Sequence, residues 1–510
     1  MEVVAPTATA LQLTLVQASP HYRRAAAALP LARGDFAVLG GLVALAVALR
    51  FSTLSLQSFW HDEAVTVGRV LKPGLGATIN ADASSEATPP AYYVLAWLWT
   101  RVFGTAEAGV RSLSAVCGVA LVPTIYFAAR HLLWPRSATI AAALVAVSPF
   151  LVWYSQEARA YSLLALLAGL SLLCLARALE LPSGRRMAAW AAVAALALAT
   201  HYFAVFLIAP EAAWLLLARR PGAPTSVRPR VLGIAAVGVA GAALLPLAIH
   251  QANVHPDTWI GRIPPGVRMA NTAKAFVVGP SGSPSVLLYI AGAAALLAAL
   301  ALLVLRADDR ERRLTALPVA LGGGALIVPL ALMAVGVDYF YPRNVMPALV
   351  VLLLVPAAGF AVARAGRAGV AAAVLLCAVN VAAVVAVAAN HRLQRADWRA
   401  AAAAIGPAQG PRALVVPFIG DDPLLYYLHG TGRARGLTTV SEVDVLGWNQ
   451  GRGARVQPPA PGFREVGRRR FDQFTLVRFR GSPRAFRRAA LARARIGSEH
   501  AAVLVQQPGG

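Results

Sequence analysis

Pro89-Pro90-Ala91-Tyr92-Tyr93-Val94-Leu95-Ala96-Trp97-Leu98-Trp99 is the stretch on which the reading of the whole chain turns. Its proline pair suits a helix start, where the missing N–H groups would have no acceptor in any case. The helix is roughly 14 residues long, too short to cross about 30 Å of hydrocarbon, and its Tyr and Trp side chains suit the boundary between lipid and water. It reads as a helix lying in the outer interface, and that reading sets the parity of every crossing after it.

On either side the chain is dominated by apolar runs. Of 510 residues, 58% are hydrophobic and only 14% charged, with a mean hydropathy of +0.61, which makes this a multi-pass membrane protein. About eleven segments approach the length of a span. They are Phe36 to Leu54, Leu113 to Leu133, Thr139 to Trp153, Tyr161 to Leu179, Ala188 to Ala199 and Ala204 to Leu217, then Val231 to His250, Val286 to Leu305, Leu314 to Val335, Val345 to Ala363 and Val370 to Ala389. The net charge of +24 argues for no nucleic acid, because its Arg residues cluster between apolar runs, where they orient helices. Cys117, Cys174 and Cys377 lie inside apolar segments and read as small core residues, with neither a disulfide nor a metal site implied. Met1 to Gly34 is a mixed Ala/Pro/polar stretch that runs into a long first span, the pattern of an uncleaved anchor.

Short loops rich in Arg stay cytoplasmic. Arg23, Arg24 and Arg33 precede the first span, so it runs outward, and every second loop is then basic: Arg130/Arg136, Arg177/Arg185/Arg186, Arg219/Arg220/Arg228/Arg230, Arg306/Arg310/Arg312/Arg313 and Arg364/Arg367. The alternation gathers Asp62, Glu63, Asp82, Glu86, Glu157, Arg159, His201 and the segment Tyr339 to Asn344 on the outer face. Such a gathering marks a membrane enzyme open to the outer leaflet or a transporter's vestibule. A transporter calls for charges or broken helices near the middle of several spans, and these segments read as nearly free of ionisable groups at their centres. Transport, or a non-catalytic role in envelope assembly, is the alternative.

From about Asn390 the apolar runs shrink to Ala413 to Phe418 and Phe474 to Phe479, while Gly, Pro and Arg become frequent. Alternation from Asp472 to Phe479 predicts strand and Ala396 to Ile405 predicts helix, giving a small α/β domain. The Arg468-Arg469-Arg470 run reads as a solvated basic face, with contact to lipid phosphates as the alternative. The expected organisation is a cytoplasmic tail at 1–34, an all-α transmembrane catalytic domain at 35–389 with its first outer loop at 55–112, and a soluble extracytoplasmic domain at 390–510. The expected location is the bacterial plasma (inner) membrane.

Four pieces carry a family likeness. Trp60-His61-Asp62-Glu63-Ala64, Pro89-Pro90-Ala91-Tyr92-Tyr93, Ser148-Pro149-Phe150-Leu151-Val152-Trp153-Tyr154-Ser155-Gln156-Glu157-Ala158-Arg159-Ala160-Tyr161-Ser162 and His201-Tyr202-Phe203 resemble, in order and spacing, the bacterial protein-mannosyltransferase-like glycosyltransferases of the GT-C superfamily. The resemblance runs from about Phe36 to Arg399. Tyr341-Pro342-Arg343-Asn344-Val345-Met346-Pro347 is similar to the family's Arg-Tyr-x-x-Pro segment, with Asn344 where Tyr is usual, and Asp397-Trp398-Arg399 is similar to its junction motif.

The resemblance implies transfer of a sugar, mannose- or arabinose-like, from a polyprenyl-monophosphate donor to a glycan, lipid or protein acceptor at the outer face, usually with inversion. An acceptor hydroxyl is a poor nucleophile, so a carboxylate must take its proton, and Asp62 aligns with the family's first-loop acid. Glu63 beside it holds an acceptor, pairs with Arg159, binds a divalent ion or forms a structural salt bridge. The departing lipid phosphate needs cationic or metal stabilisation, for which Arg159, Arg343 and His201 are the candidates. Glu157, Tyr161, Tyr93 and Trp259 are substrate-contact candidates, although the tyrosines and Trp259 also suit interface anchoring and Glu157 also suits a structural pair with Arg159. Glu86, with His201, is the candidate for a divalent cation such as Mg or Mn, and Asp82 ranks behind it; no His and carboxylate set shows local ligand spacing. The long outer loop Asn253 to Ser285, with His255-Pro256-Asp257 and Trp259, reads as a lid or binding loop.

Overall fold

The computed structural model describes residues 33–181, 183–217, 227–254, 258–281, 285–449, 456–497 and 500–508. The N-terminal tail up to residue 32, the basic pair Arg219/Arg220 and His255-Pro256-Asp257 lie outside the described residues. Internal contacts divide the chain into two units. The first holds the chain up to Ser52 with Asp82–Leu98 and Arg111–Val385; the second holds Thr53–Ala81, Trp99–Val110 and Ala386–Gly510.

The first unit is helical. Its main elements are α1 (Arg33–Phe51), α3 (Leu75–Ser85), α4 (Ala91–Phe103), α5 (Glu107–Leu132), α6 (Pro135–Val147), α7 (Pro149–Ser155), α8 (Tyr161–Glu180), α9 (Gly184–Thr200) and α10 (Val205–Leu217). They continue with α11 (Arg228–Val254), α12 (Pro265–Val278), α13 (Val286–Arg306), α14 (Asp309–Ala334), α15 (Met346–Leu352), α16 (Leu354–Ala361) and α17 (Gly366–Ala389); α3, α4, α5 and α17 run across the division between the units, and α2 belongs to the second unit. Each apolar segment read in the sequence is helical. Among the described residues, eight helices are long and apolar enough to cross a membrane, or nine if α6 and α7, bent by 53° against each other, form one span. The shortfall from eleven lies in α9, 17 residues long, and in the short apolar helix Tyr202–Leu217. Both fall near the lower limit for crossing about 30 Å. The stretch read as interfacial forms α4, 13 residues starting directly after Pro90.

The buried pair α15 and α16 packs against α6, α8, α13 and α14. Close approach there needs small residues: a Cβ on Gly359 would sit 2.1 Å from the Ala299 carbonyl oxygen. Large apolar side chains such as Val239, Leu287, Leu305 and Val374 face outward, which suits hydrocarbon surroundings.

The segments read as nearly free of ionisable groups at their centres, and two buried ionisable groups stand out against that: Glu211 inside α10 and Arg50 in the last turn of α1. Pro149 breaks the helix, and the carbonyls of Val145 and Ala146 accept from the buried Arg50 guanidinium at 3.1 and 2.8 Å. Arg50 also donates to Ser155 Oγ at 3.2 Å. Glu211, wholly buried in α10, accepts from Trp190 Nε1 at 2.8 Å and Ser171 Oγ at 3.1 Å. Both groups have hydrogen-bond partners, as a low-dielectric interior requires.

The second unit contains α2 (His61–Val65), which continues as a π-helical turn over Thr66–Val70, then α18 (Trp398–Ile405), α19 (Asp421–Tyr427) and a six-stranded sheet. The strands are β1 (Arg412–Pro417), β2 (Thr431–Arg433), β3 (Leu437–Trp448), β4 (Arg464–Phe471), β5 (Phe474–Arg487) and β6 (Ala501–Gln506), in the order β2-β6-β1-β3-β5-β4. Only β1 and β3 pair in parallel. Successive residues of β1 face opposite sides, so Ala413 and Val415 enter one apolar cluster while Leu414 and Val416 enter another with Trp398 of α18. The junction motif is structural here: Asp397 caps α18, its Oδ1 accepting from Ala400 N at 3.0 Å, and Trp398 fills the core.

Candidate active site

In the first unit the polar centre begins where α3 ends. Asp82 and Glu86 stand one turn apart, with Glu86 N donating to Asp82 O at 3.0 Å. Glu86 accepts a bidentate pair from Arg159, Nη1 to Oε1 at 2.5 Å and Nη2 to Oε2 at 2.7 Å, and both side chains are buried. Arg159 comes from the turn between α7 and α8 and lies 6.0 Å from the centroid of the buried Tyr93 ring. Asp82 is fully buried, and neither of its carboxylate oxygens has a hydrogen-bond partner among the described residues. Burial first, and the charge of Glu86 second, push its carboxyl up to about 8 against the pull of Arg159. The backbone here is anchored by Gln251, whose Nε2 donates to the Thr88 carbonyl at 3.0 Å and whose Oε1 accepts from Tyr202 Oη at 2.8 Å.

A second cation is framed by rings. Arg343 lies 5.4 Å from the Trp259 centroid and 5.7 Å from those of Tyr161 and Tyr341. The turn that carries it is fixed by Arg268 of α12, which is almost wholly buried, grips Asp338 through both carboxylate oxygens at 2.5 and 2.7 Å and donates to the Phe340 carbonyl at 3.1 Å. Asn344 Nδ2 donates to the Tyr339 carbonyl at 2.9 Å, a local tie that gives this departure from the family pattern a structural use. His201, in the break between α9 and the next helix, packs between Tyr161 and Phe203, with ring centroids 5.7 and 5.0 Å away. Its Nδ1 accepts from Phe203 N at 3.3 Å, and burial, then the positive charges of Arg159 and Arg343, push it down to about 3. His201 is therefore a neutral imidazole. Glu157 is buried beside this cluster of rings, close enough to act electrostatically on Tyr154.

Asp62 and Glu63 belong to the second unit, in the first turn of α2, where carboxylates favour the helix dipole. Glu63 is fully buried and its Oε2 accepts from Trp60 N at 3.4 Å; Asp62 is half-buried and its carbonyl accepts from Thr66 Oγ1 at 3.1 Å.

Residues 87–248 match the family model described as dolichyl-phosphate-mannose-protein mannosyltransferase. The structure is similar to that of ArnT from Cupriavidus metallidurans in the apo state, at 14% identity over 78% of this chain and 85% of that one, with a TM-score of 0.53. The same protein bound to undecaprenyl phosphate gives a TM-score of 0.51 with the same identity and coverage. This is the GT-C fold. A looser likeness, TM-score 0.44 at 14% identity, extends to the Archaeoglobus fulgidus oligosaccharyltransferase in complex with Zn and sulfate, covering 72% of this chain and 54% of that one. No curated protein sequence matches the chain.

Within the GT-C unit, the structure brings Glu86, Arg159 and Tyr93 together, and separately Arg343, Tyr161 and Trp259. The expectation of a Glu86–His201 metal pair meets a different geometry. Both oxygens of Glu86 are engaged by Arg159, and among the described residues the one group of three ligand atoms is His61, Asp421 and Asp422, which includes neither. That group belongs to an ion-pair network, because Arg69 and Arg433 already neutralise its two carboxylates. Sequence reading passed over Arg268, Asp338 and Gln251. The signal for Asp338 was available: it is an acid one residue before the aromatic run Tyr339-Phe340-Tyr341, in a chain with 23 acidic residues among 510.

Proposed function

We propose that this GT-C protein is a plasma-membrane enzyme that transfers a sugar from a polyprenyl-monophosphate carrier to an acceptor hydroxyl at the outer face, inverting the anomeric centre. The observation that carries the reading is Arg343 in its frame of three rings within a GT-C fold. A guanidinium supplies charge-assisted hydrogen bonds to phosphate, and the flat rings offer stacking surfaces to a sugar. The crystallised ArnT holds undecaprenyl phosphate, and a donor of that class suits this chain: a charged head in water and a prenyl tail between apolar helices.

In the reaction, the acceptor oxygen forms a bond to the anomeric carbon as the bond from that carbon to the phosphate oxygen breaks. The acceptor proton goes to Asp62, and the electron pair leaves with the polyprenyl phosphate, whose new charge Arg343 offsets. Arg159 shares its charge with Glu86 and so acts by holding that carboxylate, while His201 as a neutral imidazole has only its Nε2 proton to offer. A divalent cation would be held by Asp82, which has both carboxylate oxygens unpartnered among the described residues, Glu86 being committed to Arg159; it would supply positive charge to offset that of the leaving phosphate. Mannose- and arabinose-like sugars, and glycan, lipid or protein acceptors, remain the candidate substrates.

The test is to incubate membranes carrying the protein with a panel of labelled polyprenyl-phosphate sugars and to follow the label. Transfer from one donor into a product that survives mild acid identifies the sugar, and the fraction that carries the label identifies the acceptor. Label that stays on the lipid for every donor sinks the reading.

A further inference from the structure

Helix α2 and the π turn that follows it run from His61 to Val70, too few residues to hold their shape unaided. A π turn also weakens the regular hydrogen-bond ladder. The geometry of Asp62 and Glu63 must therefore come from what grips this segment, and every grip described here comes from the C-terminal module of the same unit.

At the leading end, Ser58 Oγ donates to the Ala396 carbonyl at 3.1 Å and accepts from Trp398 N at 2.9 Å. Phe59 N donates to Tyr427 Oη at 2.8 Å, and the Phe59 ring meets Tyr426 edge-on at 5.1 Å. Tyr427 is itself aimed, its hydroxyl donating to Glu107 Oε1 at 2.6 Å. At the trailing end Arg69, on the π turn, holds Asp422 in a bidentate pair with Nε at 2.7 Å from Oδ1. Arg433 joins from β2, 2.7 Å from Asp422 and 2.9 Å from Asp421. Between the two ends His61, the neighbour of Asp62, turns its Nδ1 toward both acids at 3.8 and 3.9 Å. Two carboxylates balance two guanidiniums, so removing either acid leaves cationic charge facing His61.

We propose that Asp422 and Tyr427 of α19 are positioning residues for the transfer reaction, fixing from two ends the short helix that presents Asp62. The C-terminal module is thereby part of the catalytic machinery. This rests on the assignment of Asp62 as base. A base displaced by about 1 Å loses on the order of 10²-fold in rate while leaving ground-state binding of a donor it does not hold unaffected.

The experiment uses the full-length protein in liposomes with a polyprenyl-phosphate sugar, comparing wild type with Asp422→Asn, Asp422→Glu, Arg69→Gln, Tyr427→Phe and Asp62→Asn. Tyr427→Phe removes a single oxygen and keeps the test alive where an Asp422 variant does not fold. Expected are at least tenfold losses of kcat per folded molecule in Asp422→Asn, Arg69→Gln and Tyr427→Phe, with the donor KM unchanged and Asp422→Glu recovering part of the rate. The double variant Asp422→Asn/Arg69→Gln should be no slower than the worse single, because both break one contact. With Asp62→Asn inactive, wild-type kcat per folded molecule in Tyr427→Phe and Arg69→Gln overturns positioning alone; an active Asp62→Asn overturns the base assignment beneath it.

Discussion

Asp82→Asn should change how stability depends on pH, and the structure sets the size. A carboxyl that stays protonated to about 8 in the fold, but ionises at its ordinary value of 3.8 once unfolded, makes the folded state bind more protons across that window. Stability then falls as pH rises from about 4 to about 8 and levels off above. At 1.36 kcal/mol per pH unit the full window amounts to roughly 5 kcal/mol, a ceiling that local relaxation reduces to a few. Asn keeps the shape and removes the charge. In detergent and EDTA, thermal unfolding followed by intrinsic fluorescence should show wild type and Asp82→Asn melting together near pH 4, with the variant several degrees higher at pH 9. Taking the difference between the two proteins cancels the titration of every group outside this pair of neighbours. A Tm difference that stays constant from pH 4 to 9 would refute the reasoning, because it would mean the buried carboxyl carries no proton that the unfolded chain lacks.

Arg343→Lys keeps the charge but loses the flat group that three rings frame, so the donor KM should rise about tenfold, or about 1.4 kcal/mol; an unchanged KM would remove Arg343 from the donor site. Gly118→Ala would set a methyl carbon 2.0 Å from Ser155 Oγ and 2.8 Å from Arg50 Nε, and should cost about 1–3 kcal/mol, read as a lower Tm and less folded protein in membranes. Chelation should slow transfer, Mg²⁺ or Mn²⁺ should restore it, and Asp82→Asn should blunt the restoration; a rate indifferent to EDTA contradicts a cation at Asp82.

Local pattern was enough to find the helices, because a run of about 20 apolar residues has few other ways to satisfy its backbone in lipid. The same holds for β1 and β5, whose apolar residues announce buried strand, and for α18, which begins at the Asp397 cap. Pairings across long stretches of chain were not legible. Arg159 lies 73 residues from Glu86 and Arg268 lies 70 from Asp338, and neither partner choice leaves a periodic trace. Beside Glu157, Arg159 reads as a phosphate ligand or a local ion pair, and nothing there points to Glu86. α9 and Tyr202–Leu217, counted as spans from their apolar runs, form short helices: length in sequence is visible, but how far neighbouring helices cover a short one is not. Asp421 and Asp422 passed unnoticed because their partners Arg69 and Arg433 lie on both sides of them in sequence, one in the first loop and one in β2.

The most direct measurement is single-turnover transfer by the purified, reconstituted protein from a labelled polyprenyl-phosphate sugar, with the anomeric configuration of the product read by NMR and Asp62→Asn run beside wild type. The account predicts an inverted glycoside and a rate lower by about 10²- to 10⁴-fold in Asp62→Asn with donor binding preserved. A retained configuration, or Asp62→Asn turning over at the wild-type rate, would contradict it.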